Sequence, residues 1–313
     1  MIVAVSHAGD DHAAPVLEAL RRLGEEAVVL DTGELPGRGA ISAEFGVRRP
    51  GAGIRGSHGF LRASDVTAVW WRRPQPLRPS PGLRSDDAGF AVRQAGEALS
   101  GLAASLRVRW VNDPWRESAA SHKPHQLAVA ERVGLAVPRT LVTNDPERAR
   151  AFVGAAGRRR VVHKALHATP QDWRTTQFLG REERRRLRSI RFAPTILQHY
   201  VPGVDVRVTA VAGELFAAAI DARSTRSPED FRPAFGEAKV EPCRLPVEVA
   251  SRLRKLLRTL GLSYAAIDLR RRGDGEHVFL EANPSGQWLF VERRTGLPIT
   301  DAVAALLAGR SAR

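Results

Sequence analysis

The sequence predicts an α/β protein on three observations. Strand-length apolar runs at residues 2–5 and 27–30 enclose a helical pattern with Leu17, Leu20 and Leu23 on one side, a βαβ opening. Between residues 118 and 166 helix and strand patterns alternate again. The last third carries two hairpin patterns, one of which alternates strictly along Asp205-Val-Arg-Val-Thr-Ala-Val211.

Length and composition bound the answer. The 313 residues suffice for two or three lobes with a sizeable core, and 43% hydrophobic with 26% charged residues is ordinary globular composition. The formal charge of +14 suggests anionic partners, yet only four of the 48 basic residues are lysines, a skew that also fits GC-rich codon usage. Zinc-finger spacing, an aromatic ribonucleoprotein box and a basic recognition helix are all missing, so no nucleic-acid partner is expected. The start of the chain has no basic region ahead of its short apolar run, and no apolar stretch reaches the roughly 18 residues that cross a bilayer. A cytoplasmic protein without a membrane partner is expected. The single cysteine, Cys243, has no CxxC neighbour and reads as a bystander thiol.

Each element follows from local pattern. After the βαβ opening, a strand over 66–71 ends in Arg72-Arg73-Pro74, and a long helix over 88–106 precedes a short strand over 109–111. Gly51 to Gly56 matches GxGxxG in letters only, because Arg48-Arg49-Pro50 stands where a strand should lead in; a turn or hairpin loop is expected there. A helix over 118–133 ends at Gly134. A strand over 138–142, a helix capped at Asn144-Asp145-Pro146 and a strand over 160–166 follow. A polar loop over 167–180 and a charged helix over 181–191 lead to an apolar strand over 195–201, which stops at Pro202-Gly203. Asp205 and Arg207 share one face of the next strand, which turns at 212–214 and returns over 215–220. A polar loop over 221–241 and a helix over 247–260 then lead to the second hairpin, and a helix over 300–307 closes the chain.

The second hairpin, 264–284, is the most informative stretch. Asp274-Gly275 signals a two-residue type I′ turn, which needs φ > 0 at both positions. That turn places Gly273 opposite Glu276 and, by the same register, Asp268 opposite Glu281. Asn283 projects from the same face as Glu281 because side chains alternate. Opposed carboxylates repel. An oxygen-rich cradle of this kind suits a hard cation such as Mg²⁺, although a simply solvated polar face accounts for the same letters.

The order of motifs resembles the ATP-grasp superfamily, and within it the graspetide synthetases, microviridin-type peptide ligases. The landmarks are Val69-Trp-Trp-Arg-Arg-Pro74, Ser121-His-Lys-Pro-His-Gln-Leu127, Gly134-Leu-Ala-Val-Pro-Arg-Thr-Leu-Val-Thr-Asn144, Val162-His-Lys164, Arg191 to Pro202, Asp205-Val-Arg-Val208 and Glu281-Ala-Asn-Pro-Ser-Gly-Gln-Trp-Leu-Phe-Val-Glu292. The resemblance implies an N-terminal pre-ATP-grasp lobe (1–115), a central lobe (116–195) and a C-terminal lobe (196–313), with ATP between the last two. It implies that Lys123 and Lys164 meet nucleotide phosphates, that Gln198, His199, Tyr200 and Val201 line the adenine, and that Asp205 lies in the ATP site. Asp268, Glu281 and Asn283 correspond to magnesium ligands. Arg207 corresponds to the catalytic cation, with an ion pair to Asp205 as its plain alternative.

The implied reaction activates an Asp or Glu side chain of a ribosomal precursor peptide, a leader plus an acidic core, as an acyl phosphate. A Ser/Thr hydroxyl or Lys amine then attacks it, giving an ester or amide ring. Peptide contacts are expected at Asp230, Arg232, Arg72, Arg73, Trp173, Phe178 and Trp288, and a homodimer is expected from the family. The usual glycine-containing phosphate cover is replaced by Ala165-Leu-His-Ala-Thr-Pro170. The competing readings are an ATP-grasp ligase for a small amino acid or free peptide, and a non-catalytic nucleotide- or nucleic-acid-binding protein.

Overall fold

The computed structural model describes residues 1–48, 51–157, 160–166, 176–225 and 236–310. Its chain divides into two compact units, Met1–Trp115 with Pro298–Arg313, and Arg116–Leu297. The C-terminal segment therefore belongs with the first unit, not with the third lobe expected from 196 onward.

In the first unit β1 (Ile2–Val5), α1 (Ala13–Arg22) and β2 (Ala27–Leu30) form the expected βαβ opening. They are followed by β3 (Ala40–Ala43), β4 (Ala52–Gly56), β5 (Gly59–Arg62), β6 (Ala68–Trp71), α2 (Ser85–Ser105), β7 (Arg109–Val111) and α3 (Pro114–Ala120), which runs across the boundary into the second unit. A parallel sheet of order β2-β1-β6-β7 carries the core, with Val3, Val5, Leu30 and Val69 buried in one cluster. Residues 52–56, expected as a turn, form the middle strand of a separate antiparallel sheet, β3-β4-β5. Gly53 is what permits this: a Cβ there would lie 2.7 Å from the Phe60 ring.

The second unit continues with α4 (Lys123–Arg132), β8 (Thr140–Thr143), α5 (Pro146–Ala155), β9 (Val161–Lys164), β10 (Gln177–Phe178), α6 (Arg181–Arg185) and β11 (Thr195–His199). Then come β12 (Val204–Val211), β13 (Glu214–Asp221), β14 (Lys239–Pro242), α7 (Val247–Leu260), β15 (Tyr264–Arg271), β16 (His277–Asn283) and α8 (Leu289–Thr295), before α9 (Ile299–Ala308) returns the chain to the first unit. The helix expected over 118–133 is two helices, and the charged helix expected over 181–191 ends early in a 3-10 stretch from Leu187 to Phe192. Asp145 caps α5 as expected, accepting from the backbone N–H groups of Glu147 and Arg148.

Two sheets build this unit, β10-β9-β11-β8 and β14-β13-β12-β15-β16. In the second, alternation separates two faces. Val206, Val208, Ala210, Ala265, Ile267, Leu269, Phe279 and Ala282 point to a core shared with Val129 and Ala130 of α4 and Leu253, Leu256, Leu257 and Leu260 of α7. Those leucines recur at helical spacing, and Gly261, at φ 70°, ends the helix in the left-handed conformation. The opposite face carries the candidate site.

The hairpins differ from expectation in an instructive way. The type I′ geometry lies at Ala212-Gly213, with φ 51° and 86°, and joins the paired Val211 and Glu214. The 264–284 hairpin instead turns through a three-residue loop: Gly275 N–H donates to Arg272 O at 3.0 Å, and Arg272 N–H to Glu276 O at 2.9 Å. This pairs Leu269 with Phe279, one residue off the expected register. A β-bulge at Leu280 then restores it, so Asp268 does face Glu281 and Ala266 faces Asn283. Two departures from the expected geometry cancel at the site.

Candidate functional site

Three cross-strand rows make the polar face of β12, β15 and β16. Asp205 faces Arg270, which faces Val278; Arg207 faces Asp268, which faces Glu281; Thr209 faces Ala266, which faces Asn283. The charges of the first two rows are inverted with respect to one another. Arg270 clasps Asp205 with Nε at 2.9 Å and Nη2 at 3.0 Å, and Arg207 Nη1 donates to Asp268 Oδ1 at 2.7 Å. The alternative pair of Arg207 with Asp205 is replaced by these two, because directly opposed side chains on neighbouring strands lie closer than same-face residues two apart on one strand. Asp205, expected in the ATP site, thus has both oxygens engaged by Arg270.

Arg207 also donates from Nη2 to the Gln287 carbonyl at 2.9 Å. Its Nε and the Thr209 hydroxyl are buried with no hydrogen-bond partner among the described residues. Polar atoms left so on one face fit a site built for a polar ligand. The cation of α4 joins from the other side: Lys123 Nζ lies 3.3 Å from Glu281 Oε2 and 3.4 Å from the carbonyl of Ala165, the residue after Lys164. Each carboxylate of the Asp268–Glu281 row thus has its own cation, which offsets the like-charge repulsion across the pair. No group of three or more His, Cys, Asp or Glu side chains placed to hold a metal ion occurs among the described residues. The available donors are two carboxylates and the Asn283 amide, an all-oxygen set suited to Mg²⁺ with water and phosphate completing the shell.

The residues expected to line the adenine are partly committed. Gln198 is buried in the centre of its sheet, and its Nε2 donates to Thr140 Oγ1 at 2.8 Å. The His199 and Tyr200 amides donate to the carbonyls of Arg139 and Arg160 at 2.9 and 2.8 Å. The His199 ring packs on Phe152 with centroids 5.0 Å apart. Arg270 Nη1 reaches the Tyr200 hydroxyl at 3.1 Å and the Val201 carbonyl at 3.4 Å, so the Asp205–Arg270 pair anchors the segment that follows β11. Phe178, expected as a peptide contact, stands in the same assembly, 4.9 Å from the Tyr200 ring with the Arg160 guanidinium 4.2 Å over its face.

Two expected peptide contacts are interior residues. Trp288 is fully buried and packs edge-on against Tyr264, leaving no surface for a peptide. Arg72 is buried at the end of β6, where its Nε donates to Asp10 Oδ2 at 3.2 Å and Ser6 donates to the same oxygen at 2.9 Å. Burial would raise the Asp10 carboxyl, but its hydrogen bonds with His12 and Ser6 and the Arg72 charge hold it well below the usual carboxylate range. Arg73 is half-buried beside it, with its amide donating to Val5 O at 2.9 Å. Trp173, Asp230 and Arg232 lie outside the described residues, as does most of the 165–170 segment.

Sequence reasoning missed Gly286. A Cβ there would collide with Ala266 and lie 3.2 Å from Arg207 Nη2, so only glycine lets the 284–287 turn lie against the polar face. The carbonyl of Gly286 accepts from the Tyr264 hydroxyl at 2.7 Å. A Pro-Ser-Gly run directly after Asn283, the last expected ligand, is the signal that could have found it.

Residues 1–118 match the family model described as the MvdD pre-ATP grasp domain. The chain is similar to the macrocyclase MdnC of Microcystis aeruginosa MRC, solved bound with precursor peptide MdnA, at TM-score 0.87 and 26% identity over 98% of this chain and 99% of that one. Macrocyclase MdnB of the same organism matches at TM-score 0.81 and 28% identity, with 98% of each chain covered. A RiPP-associated ATP-grasp ligase of Chryseobacterium gregarium, solved with ADP and a leader and core peptide, shares the fold at TM-score 0.88 and 22% identity over 100% of this chain and 97% of that one. No curated protein sequence matches the chain. Fold and domain match together define an ATP-grasp ligase. Within that class its likeness is to the graspetide synthetases.

Proposed function

We propose that the protein is an ATP-dependent peptide ligase that converts Asp or Glu side chains of a ribosomal precursor peptide into acyl phosphates and closes them into esters or amides with Ser/Thr or Lys. The observation that carries this reading is the row Arg207–Asp268–Glu281 with Lys123 at its end, two carboxylates each held by a cation on one sheet face. Asp268, Glu281 and Asn283 would hold Mg²⁺, which supplies charge neutralisation for the transferring phosphoryl group when bound.

The chain's own residues do the rest. Lys123 and Lys164 bind the phosphates as compact charges. Arg207, oriented by Asp268 and the Gln287 carbonyl, stabilises the negative charge that spreads as the peptide carboxylate attacks the γ-phosphate and ADP leaves. With the His199 and Tyr200 amides already engaged, adenine recognition falls to the backbone at the Tyr200 carbonyl and Val201 amide, steadied by Arg270. No protein nucleophile is needed. In the second step the hydroxyl or amine of the same peptide displaces phosphate, and holding both groups in place supplies much of the rate.

The precursor relation draws on MdnC, solved with its precursor peptide, and on PsnB, solved with a minimal precursor, Mg and ADP. Arg73 and Phe178, with Trp173, Asp230 and Arg232, are the peptide-side residues of this proposal, which also holds the protein to be a cytoplasmic homodimer without a nucleic-acid partner. None of the described helices is long and apolar enough to cross a membrane. The test is to incubate purified protein with ATP, Mg²⁺ and the precursor encoded beside its gene, and to weigh the peptide. Loss of one water per crosslink is the expected result; an unchanged precursor mass with ATP turned over onto a free amino acid would favour the small-substrate ligase.

A further inference from the structure

We propose that Gln126 is a positioning residue for the metal-ligand segment: its carboxamide acts as a surrogate strand that holds Ala282 between Glu281 and Asn283. The proposal rests on the assignment of those two residues as Mg²⁺ ligands.

β16 is an edge strand of its sheet. The N–H and C=O of Ala282 point away from β15, and a single side chain meets both. Ala282 N–H donates to Gln126 Oε1 at 2.9 Å, and Gln126 Nε2 donates to Ala282 O at 2.6 Å. This two-point pairing copies what a neighbouring strand would offer. The second Nε2 proton goes to Ala120 O at 2.6 Å, the last carbonyl of α3, which has no partner within its own helix. Both donors and the acceptor of the amide are used in a side chain 3% exposed. Turning the amide over would set oxygen against oxygen and N–H against N–H at Ala282, so the orientation is determined by the network.

Position in the fold gives this clamp its meaning. Gln126 lies one helical turn after Lys123 on α4, on the same side of the helix, and Lys123 reaches Glu281. One helix face therefore meets a ligand side chain through its lysine and the backbone between two ligands through its glutamine. A second link runs in parallel from α3, where Glu117 accepts a 2.5 Å hydrogen bond from Ser285, whose own amide donates to Asn283 Oδ1 at 3.0 Å. Edge strands without such cover are free to shift, and a ligand carried on one would move with it. The structure assigns to Gln126 the fixed spacing between phosphate-binding lysine and metal-binding edge.

Mn²⁺ binding in the presence of ADP, followed by electron paramagnetic resonance on the purified full chain, separates positioning from mere stabilisation. Gln126→Leu is expected to weaken Mn²⁺ binding at least about tenfold, the usual range for lost outer-shell support, with metal-free ADP affinity unchanged. Unaltered Mn²⁺ affinity in a folded Gln126→Leu protein overturns the proposal. Glu281→Gln is the control: if it leaves Mn²⁺ binding intact, the ligand assignment has failed and the proposal falls with it, whereas loss in Glu281→Gln beside full binding in Gln126→Leu removes only the role of Gln126. Should Gln126→Leu fail to fold, Gln126→Glu keeps the acceptor for Ala282 N–H while losing both donors, and the same weakening is expected. Hydrogen exchange on the unsubstituted protein adds an independent arm. The Ala282 amide is expected to be protected without metal, and rapid metal-free exchange there would refute a preformed clamp.

Discussion

Arg207 and Asp268 face each other across β12 and β15, joined at 2.7 Å with side chains 7% and 11% exposed, while Glu281, opposite Asp268 on the far strand, leans to Lys123 with both partners at least 20% exposed. The two carboxylates therefore differ in what their loss would do to the protein. From sequence alone, removing either relieves a repulsion and spares the fold. With the counter-charges in view, only one of them does.

Asp268→Asn is expected to abolish crosslinking and also to cost about 3 kcal/mol of stability, because it strands the buried Arg207 charge. Glu281→Gln is expected to abolish crosslinking at a cost below about 1 kcal/mol, as for a solvent-accessible pair. Urea midpoints and product assays on both variants check this; equal midpoints would show that the Arg207–Asp268 pair carries no special weight.

Gly286→Ala places a methyl against Ala266 and Arg207 Nη2. The turn must lift, taking the Gln287 carbonyl from Arg207. A loss of about 1–3 kcal/mol is expected, as for overpacked sites, together with a fall in kcat larger than any rise in KM for ATP. Steady-state kinetics with saturating precursor decide the question.

Arg270 holds Asp205, the Tyr200 hydroxyl and the Val201 carbonyl. Replacing it with methionine keeps the bulk and frees the segment after β11. The KM for ATP is expected to rise about tenfold, equivalent to about 1.4 kcal/mol of binding, with kcat at saturating ATP little changed. A fall in kcat with an unchanged KM would place Arg270 in the chemistry instead.

His277 gives unit Arg116–Leu297 a pH signature. Burial lowers its pKa, the Gly275 carbonyl at 3.0 Å opposes that, and the Arg271 charge adds to it. The folded state thus holds His277 neutral where the unfolded chain, near 6.5, begins to bind a proton. Unfolding takes up that proton, so stability is fully present above about pH 6.5 and falls as pH drops below it, at no more than about 1.4 kcal/mol per pH unit. His277→Gln should flatten the change in urea midpoint between pH 7.5 and 5.5.

The strictly alternating β12 was legible in the sequence because one face must be apolar to meet α7 and the other is chemically dense. The long amphipathic α7 was legible to its ends for the same reason. Less regular segments were not. Residues 40–62 carry glycine and arginine where strands usually carry β-branched residues, and their pairing is visible only once three such strands lie together. Ion-pair partners were hidden as well, since whether Arg207 turns to Asp205 or Asp268 depends on a neighbouring strand. Gln126 was hidden most completely: its partner is a backbone unit 156 positions away, and backbone leaves no letter in a motif.

The bulge at Leu280 leaves the second hairpin with one residue more than its pairing uses. Phe279 and Ala282, three apart, both enter the core, a spacing that a regular strand forbids. In the unbulged alternative Leu280 would oppose Asp268 and Glu281 would oppose Ile267, pressing a carboxylate into leucine and phenylalanine. Deleting Leu280 would instead leave every observed pair in place and remove only the local twist. Which residues serve as ligands and the face on which they stand are thus encoded separately, the second by the register that the strand takes beyond Leu280 rather than by Leu280 itself.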